Sequence, residues 1–359
     1  MMARQPPPLG QPDDHLEQQT TSRDFAAWRA RLAALPRDRT PVVLVACGSF
    51  NPPTRAHLRL FSAGAAAVDG GSGASGGLPA VVVGGLLSPV ADAYAKAGLA
   101  PAAHRLAMCA LAARHGADEE IGGGRDAADA AAPAQQRRQQ PPVDVGVHCW
   151  EATRGAYTRT LDVLRHISRE LNSSAASTGG DGGGGGGDDG GGGGGGGGPT
   201  STTTAATPTG APLPTRPVRV MLLGGTDLLE SMRRPGVWSE PEVLLREHGV
   251  VCVERTAQGA AAAPPSPTPP ATTASGAVDE ALLASCVVHA AVCTDEDAMA
   301  DVSSSRAREA LRAARNDAAA ATSPPADEGR ARLAGAADPR VAALLDPRVA
   351  EYAAVNGLY

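Results

Sequence analysis

A chain of 359 residues, 42% of them hydrophobic, has the material for one substantial domain. Its net charge of −6 argues against a nucleic-acid surface or a polybasic membrane patch. The longest apolar runs, such as Val42–Cys47 and Val81–Val83, fall far short of the ~18 residues a membrane-spanning helix needs.

In chain order, Met1–Gln19 is Pro-rich and carries Asp13, Asp14 and Glu17. It shows no secretory apolar segment, and its acids speak against an organellar transit peptide. Residues 1–40 read as a disordered extension, and the expected location is the cytoplasm, the nucleus or both. Val42–Cys47 follows as a short continuous apolar run, the pattern of a strand buried on both faces. Leu58–Val68 then reads as a helix, Ala80–Leu87 as a second strand and Pro101–His115 as a helix with proline at its start. Val143–Val147 reads as a third strand. Thr153–Leu171 reads as a helix, with Tyr157, Leu161, Leu164, Ile167 and Leu171 at helical spacing. Val218–Leu223, Val250–Val253 and Val287–Val292 add three strand-like runs, and Ser304–Ala314 and Val349–Asn356 are late helices. Strand alternating with helix predicts an α/β fold, a parallel sheet with helices on both faces. Between these elements lie low-complexity stretches at about 122–142, 173–217, 257–276 and 317–338, the second containing a near-pure Gly run. They hold too little apolar surface to offset chain entropy, so they read as disordered insertions in one domain spanning 41–359. None of the six cysteines forms a close CxxC pair, which favours a reducing compartment over a disulfide scaffold or a zinc site.

Four segments carry candidate chemistry. The first strand runs into Gly48-Ser49-Phe50-Asn51-Pro52-Pro53-Thr54-Arg55-Ala56-His57. Gly48 permits a tight turn, and the helix start that follows favours an anion. Thr54 and His57 are three apart, so a helix would point both at one phosphate; a capped helix start with a packed histidine fits the same residues. The Val218–Trp238 segment ends a buried strand in Gly224-Gly225-Thr226-Asp227, where Asp227 either accepts from ribose hydroxyls or caps the next helix. At Ser303-Ser304-Ser305-Arg306-Ala307-Arg308, three hydroxyls and two guanidinium groups at a helix start suit a polyphosphate, and a plain serine cap suits the same pattern. Lys96 lies just after a strand, where it is either a phosphate contact or a solvated charge. Among the few aromatic residues, Trp150 reads as core, and Trp238, after Pro235-Gly236, as a surface for a flat heteroaromatic ring. His15, His104, His115, His148, His166, His248 and His289 show no metal spacing. No residue is assigned to metal.

Taken together, these segments resemble the eukaryotic nicotinamide/nicotinate mononucleotide adenylyltransferases, a nucleotidyltransferase family. The resemblance rests on Gly48–Phe61 (GSFNPPTRAHLRLF), Ser88–Leu99, Trp150-Glu151, Thr160–His166, Gly225–Ser231, Val302–Arg308 and the ending Glu351–Tyr359, in order and in phase. It implies a Rossmann-like nucleotidyltransferase that joins ATP to either mononucleotide, giving NAD or its acid form and pyrophosphate, with Mg²⁺ accompanying ATP. By the resemblance, His57 and Arg308 are the catalytic pair. Ser303, Ser304, Ser305 and Arg306 join them on ATP. Gly48, Ser49, Phe50 and Lys96 hold the mononucleotide phosphate, and Tyr157, Thr160, Val237 and Trp238 surround the pyridine ring. Gly225 and Asp227 take the ribose, with Arg255 as a further basic contact. Tyr157 stands where the family often has Trp, Ala97 where a second lysine is common and Ala300 in place of a usual Asn. Ser305 replaces Thr, Arg306 replaces Lys, and Pro53 falls at a variable position. Rival readings are another superfamily nucleotidyltransferase, such as a pantetheine-phosphate adenylyltransferase or a cytidylyltransferase, a catalytically weak chaperone-like relative, and a scaffold using the insertions. Expected partners are the two nucleotides, with no nucleic acid and no membrane. The sequence is compatible with a homo-oligomer.

Overall fold

The computed structural model describes residues 28, 31–71, 79–121, 143–173, 217–257, 278–294, 302–320 and 333–359; the side chains of 115–121, 173, 255–257 and 291–294 lie outside the description. Residues 1–27, Ala300 and most of the predicted insertions lie outside it too.

Six strands form one parallel sheet: β1 (Thr40–Gly48), β2 (Ala80–Pro89), β3 (Val145–Val147), β4 (Arg219–Gly225), β5 (Val250–Ala257) and β6 (Val287–Thr294). Their spatial order is β3-β2-β1-β4-β5-β6, and every pairing is parallel. The helices are α1 (Arg55–Gly70), α2 (Ala102–Ile121), α3 (Thr160–Ser173), α4 (Thr226–Arg233), α5 (Pro241–Glu247), α6 (Glu280–Cys286), α7 (Ser304–Ala320), α8 (Pro339–Ala342) and α9 (Pro347–Val355). Alternate residues of a strand face opposite sides. Val43, Val45 and Leu222 therefore join Leu161, Leu164 and Ile167 of α3 on one face. Val42, Leu44, Leu223 and Val251 join Phe61 of α1 on the other. A third cluster packs Met108 and Ala112 of α2 against Leu311 of α7 and Val349 and Ala353 of α9.

Two neighbouring glycines in β2 let these layers close. A Cβ on Gly84 would stand 2.2 Å from the Trp28 ring, and one on Gly85 would stand 2.3 Å from Phe61, on the opposite face. Trp28 is 1% exposed and Leu32 is buried beside it, so the expected boundary at residue 40 is corrected: the packed body already includes Trp28. The aromatic ring fills a site that only glycine leaves open.

Other boundaries also shift. The helix expected from Thr153 begins at Thr160, because residues 149–154 form a turn in which the Thr153 hydroxyl donates to the Cys149 and Trp150 carbonyls. Helix α7 runs to Ala320 and residues 333–338 are described, so both ends of the predicted 317–338 insertion belong to the described structure; 321–332 lie outside it. The sequence reading omitted α5, α6 and α8. Aspartate caps α6, α8 and α9: Asp279, Asp338 and Asp346 each accept an amide of the first turn, the last two directly before a proline. No helix among the described residues is long and apolar enough to cross a membrane.

Candidate functional site

The chain leaves β1 toward β2 and β3 on one side, then returns to β4, β5 and β6 on the other. The carboxyl ends of β1 and β4 therefore flank the point where the winding reverses, where open α/β sheets bind ligands. A cavity of about 500 Å³ lies there, lined by Gly48, Phe50, His57, Gly225, Asp227 and Ser303 among others.

The first wall is the corner after β1. Phe50 is buried at φ 43°, and Thr54 is the N-cap of α1. The Thr54 amide donates to His57 Nδ1 at 3.0 Å, and Thr54 Oγ1 lies 2.7 Å from the same nitrogen. An amide N–H can only donate, so Nδ1 accepts and the neutral ring carries its proton on Nε2. Phe50 meets the imidazole edge-on at 5.2 Å. The expectation that Thr54 and His57 point together at a phosphate is thus corrected. Thr54 is buried and holds the ring, while His57 lines the cleft.

The second wall is the end of β4. Gly225 is the N-cap of α4 and makes no side-chain cap, so Asp227, in the first turn, is not the cap; it lines the cleft. A Cβ on Gly225 would stand 2.8 Å from Asp227 Oδ1.

The third wall is the start of α7. Ser303 Oγ accepts from the Arg306 amide at 3.3 Å. The Ser304 hydroxyl donates to the Pro52 carbonyl at 2.8 Å, and Arg308 donates to the Asn51 carbonyl at 2.7 Å and to Ser305 Oγ at 3.1 Å. Residues more than 250 apart in sequence thereby close on one another. Of the three serines, only Ser303 lines the cavity; Ser304 latches the two segments together.

The other candidates stand outside the lining. Lys96 is exposed in the loop after β2. Tyr157 is 61% exposed and stacks on Tyr94 with ring centroids 6.2 Å apart. Thr160 opens α3, and Val237 is exposed. Trp238 packs against the core and donates from Nε1 to Ser231 Oγ at 2.9 Å. The Ser49 carbonyl accepts from Arg105 at 3.3 Å. Arg255 ends among side chains outside the description, although its backbone lies in β5.

Two residues missed by the sequence reading organise the corner. Asn51, buried, donates to the Gly98 carbonyl at 2.8 Å, and its Oδ1 accepts from the Ala100 amide and the Tyr359 hydroxyl. Arg105, fully buried, donates to Ala100 O, Ser49 O and Asp92 Oδ1. The Asn-Pro pair was visible as turn chemistry; nothing local singled out Arg105 on its helix. Cys47 also lines the cleft, but burial and the nearby Glu151 carboxylate push its thiol up, so it does not offer a thiolate nucleophile.

The family described as cytidylyltransferase-like matches residues 45–164. The chain is 31% identical over 235 residues to nicotinamide/nicotinic acid mononucleotide adenylyltransferase 1 of Saccharomyces cerevisiae, covering 65% of this chain and 43% of the relative. It is 31% identical over 234 residues to the adenylyltransferase of that name from Schizosaccharomyces pombe, covering 65% and 47%. It is 32% identical over 223 residues to the one from Arabidopsis thaliana, covering 62% and 65%. The chain thus spans less than half the length of the two yeast relatives. It is similar to nicotinamide/nicotinic acid mononucleotide adenylyltransferases of yeasts and a plant, and about a third of it matches the cytidylyltransferase-like family.

Proposed function

We propose that this protein transfers the adenylyl group of ATP to nicotinamide or nicotinate mononucleotide, giving NAD or deamido-NAD and pyrophosphate. The observation that carries this reading is the closure of the β1 corner and the start of α7 on one cleft, with His57 and Ser303 both lining it. The names of the yeast and plant relatives support the choice of substrates.

In the proposed reaction the 5′-phosphate oxygen of the mononucleotide forms a bond to the α-phosphorus of ATP. The bond from that phosphorus to the pyrophosphate oxygen breaks in line. The attacking phosphate has a second pKa of roughly 6, so it is largely dianionic at neutral pH and needs no enzymic base. The protein's task is to align two anions and stabilise charge. His57, with its proton kept on Nε2 by the Thr54 amide, donates to an α-phosphate oxygen. Arg306, Arg308 and the Ser303, Ser304 and Ser305 segment receive the departing pyrophosphate, with the first amides of α7 as further donors. Gly48, Ser49, Phe50 and Lys96 take the mononucleotide phosphate. Gly225 and Asp227 take the ribose. Tyr157, Thr160, Val237 and Trp238 take the pyridine ring, and Arg255 adds positive charge.

Asp227 is the one carboxylate among the described residues of the lining, too few for a protein cage around a cation. That fits Mg²⁺ held by phosphate oxygens and water, where it would neutralise charge on the triphosphate. The proposal places the protein in the cytoplasm or nucleus and allows a homo-oligomer.

The test incubates the purified protein with ATP, Mg²⁺ and either mononucleotide. Dinucleotide and pyrophosphate should appear in equal amounts, and phosphopantetheine should not substitute. Absence of dinucleotide with both mononucleotides overturns the reading.

A further inference from the structure

We propose that His148, His166 and Glu170 form a binding site for a divalent transition ion of the zinc class, separate from the nucleotide cleft. Their potential ligand atoms all lie within 4.8 Å of one another. His148 directly follows β3, and its amide donates to the Leu87 carbonyl at 2.8 Å, which prolongs the ladder and fixes the ring's place. His166 and Glu170 are four apart on α3 and share a face. The sequence hid this site because His148 belongs to another element, 18 positions from His166.

Distances favour an ion at the centre. His148 Nε2 is 2.9 Å from Glu170 Oε2, and His166 Nε2 is 3.2 Å from Glu170 Oε1. Ligand atoms bonded to a tetrahedral zinc at 2.0–2.1 Å stand about 3.3 Å apart, so side-chain adjustment within the 4.8 Å cluster would bring the three donors onto one ion. The His166 ring is already oriented, stacked on Trp150 at 3.9 Å and 10°, with the Arg154 guanidinium 4.6 Å from the same indole. His166 Nε2 is buried and, despite its closeness to Glu170, is not aligned for a hydrogen bond. A metal gives that nitrogen a partner.

Two imidazoles and one carboxylate suit zinc, cobalt or nickel better than magnesium or calcium. The His148 side chain is 1% exposed and that of Glu170 39%, so water can complete the shell from the outer side. His148 Nδ1 has no hydrogen-bond partner. A metal-binding histidine usually donates from its second nitrogen, and lacking that support lowers affinity by roughly 10- to 100-fold. A bound ion would pin the end of β3 to α3 across the turn that carries Trp150 and Tyr157.

The test titrates the full chain, freed of metal by a chelator, with Co²⁺ and with Zn²⁺. Co²⁺ should give the visible d–d bands of a low-coordinate site, and Zn²⁺ should raise Tm. Glu170→Gln and His148→Gln should each weaken binding at least ~100-fold. Because either variant can lower Tm on its own, the readout is the Zn²⁺-dependent increment. His289→Gln, at the separate His289–Glu254 pair, should keep the full increment. No bands and no increment in the unmodified chain overturn the proposal, as does an undiminished increment in both cluster variants. Adenylyl transfer is not measured, so the result stands apart from the proposed reaction.

Discussion

At the scale of single residues, the cleft depends on how neighbours fix one donor. His57 is aimed by the Thr54 amide, which sets both the ring's orientation and its tautomer. Under the proposed reaction, His57→Ala should lower kcat by at least ~10²-fold, the size of losing one transition-state donor, with little change in the thermal unfolding midpoint. A near-normal kcat would remove His57 from the mechanism. Trp238→Ala should raise KM for the mononucleotide more than KM for ATP. Equal changes for both substrates would show that the indole serves the core, where it already bonds to Ser231.

At the scale of elements, β2 is the hinge of the packing. Gly84 admits Trp28 from one side and Gly85 admits Phe61 from the other. Trp28→Ala should cost about 3–5 kcal/mol by emptying its site. Gly84→Ala should cost about 1–3 kcal/mol or more, since the new methyl would overlap the indole. The two changes share one volume, so they should not add. Chemical denaturation of both single variants and the double variant reads this directly. In the double variant the glycine substitution should add little to the loss from Trp28→Ala, and strict additivity would refute the shared-volume account.

At the scale of the whole molecule, stability should depend on pH through Glu151. This buried carboxyl is pushed up to about 7 from an ordinary 4.5, mainly by burial, with the Ser88 hydroxyl and Arg105 pulling the other way. Folded protein holds the proton more tightly than unfolded chain between those values. Its contribution is whole below about pH 4.5, declines as pH rises, and is gone above about pH 7, a change of roughly 3 kcal/mol. Unfolding free energies of Glu151→Gln across this window should lack that decline. The chain around residues 174–216, which lie outside the description, tests another global property. Asn172 donates to the Val218 carbonyl at 3.1 Å and accepts from the Val218 amide at 2.8 Å, so the ends of this long connection are already pinned together. Loop-closure entropy varies slowly with length. Replacing 174–216 by a short Gly-Ser linker should therefore leave the melting midpoint and the rate of the proposed reaction nearly unchanged, measured side by side.

What the sequence determined by itself is local. The apolar runs at 42–47, 218–223 and 250–253 mark buried strands because strands covered on both faces need no polar alternation. Gly48 and Gly225 mark corners because chain direction and ligand approach are set within a few residues. The paired Asp-Pro starts of α8 and α9 were equally legible, although the sequence reading passed over them. Only tertiary structure decided that Arg308 would grip Asn51, that Trp28 belongs inside, that Tyr157 lies in a loop ahead of α3 despite its helical spacing, and that His148 meets Glu170. Periodicity reports which face of an element is apolar; it carries no information about which distant segment will cover that face. That choice belongs to packing and to hydrogen bonds made between residues far apart in the chain.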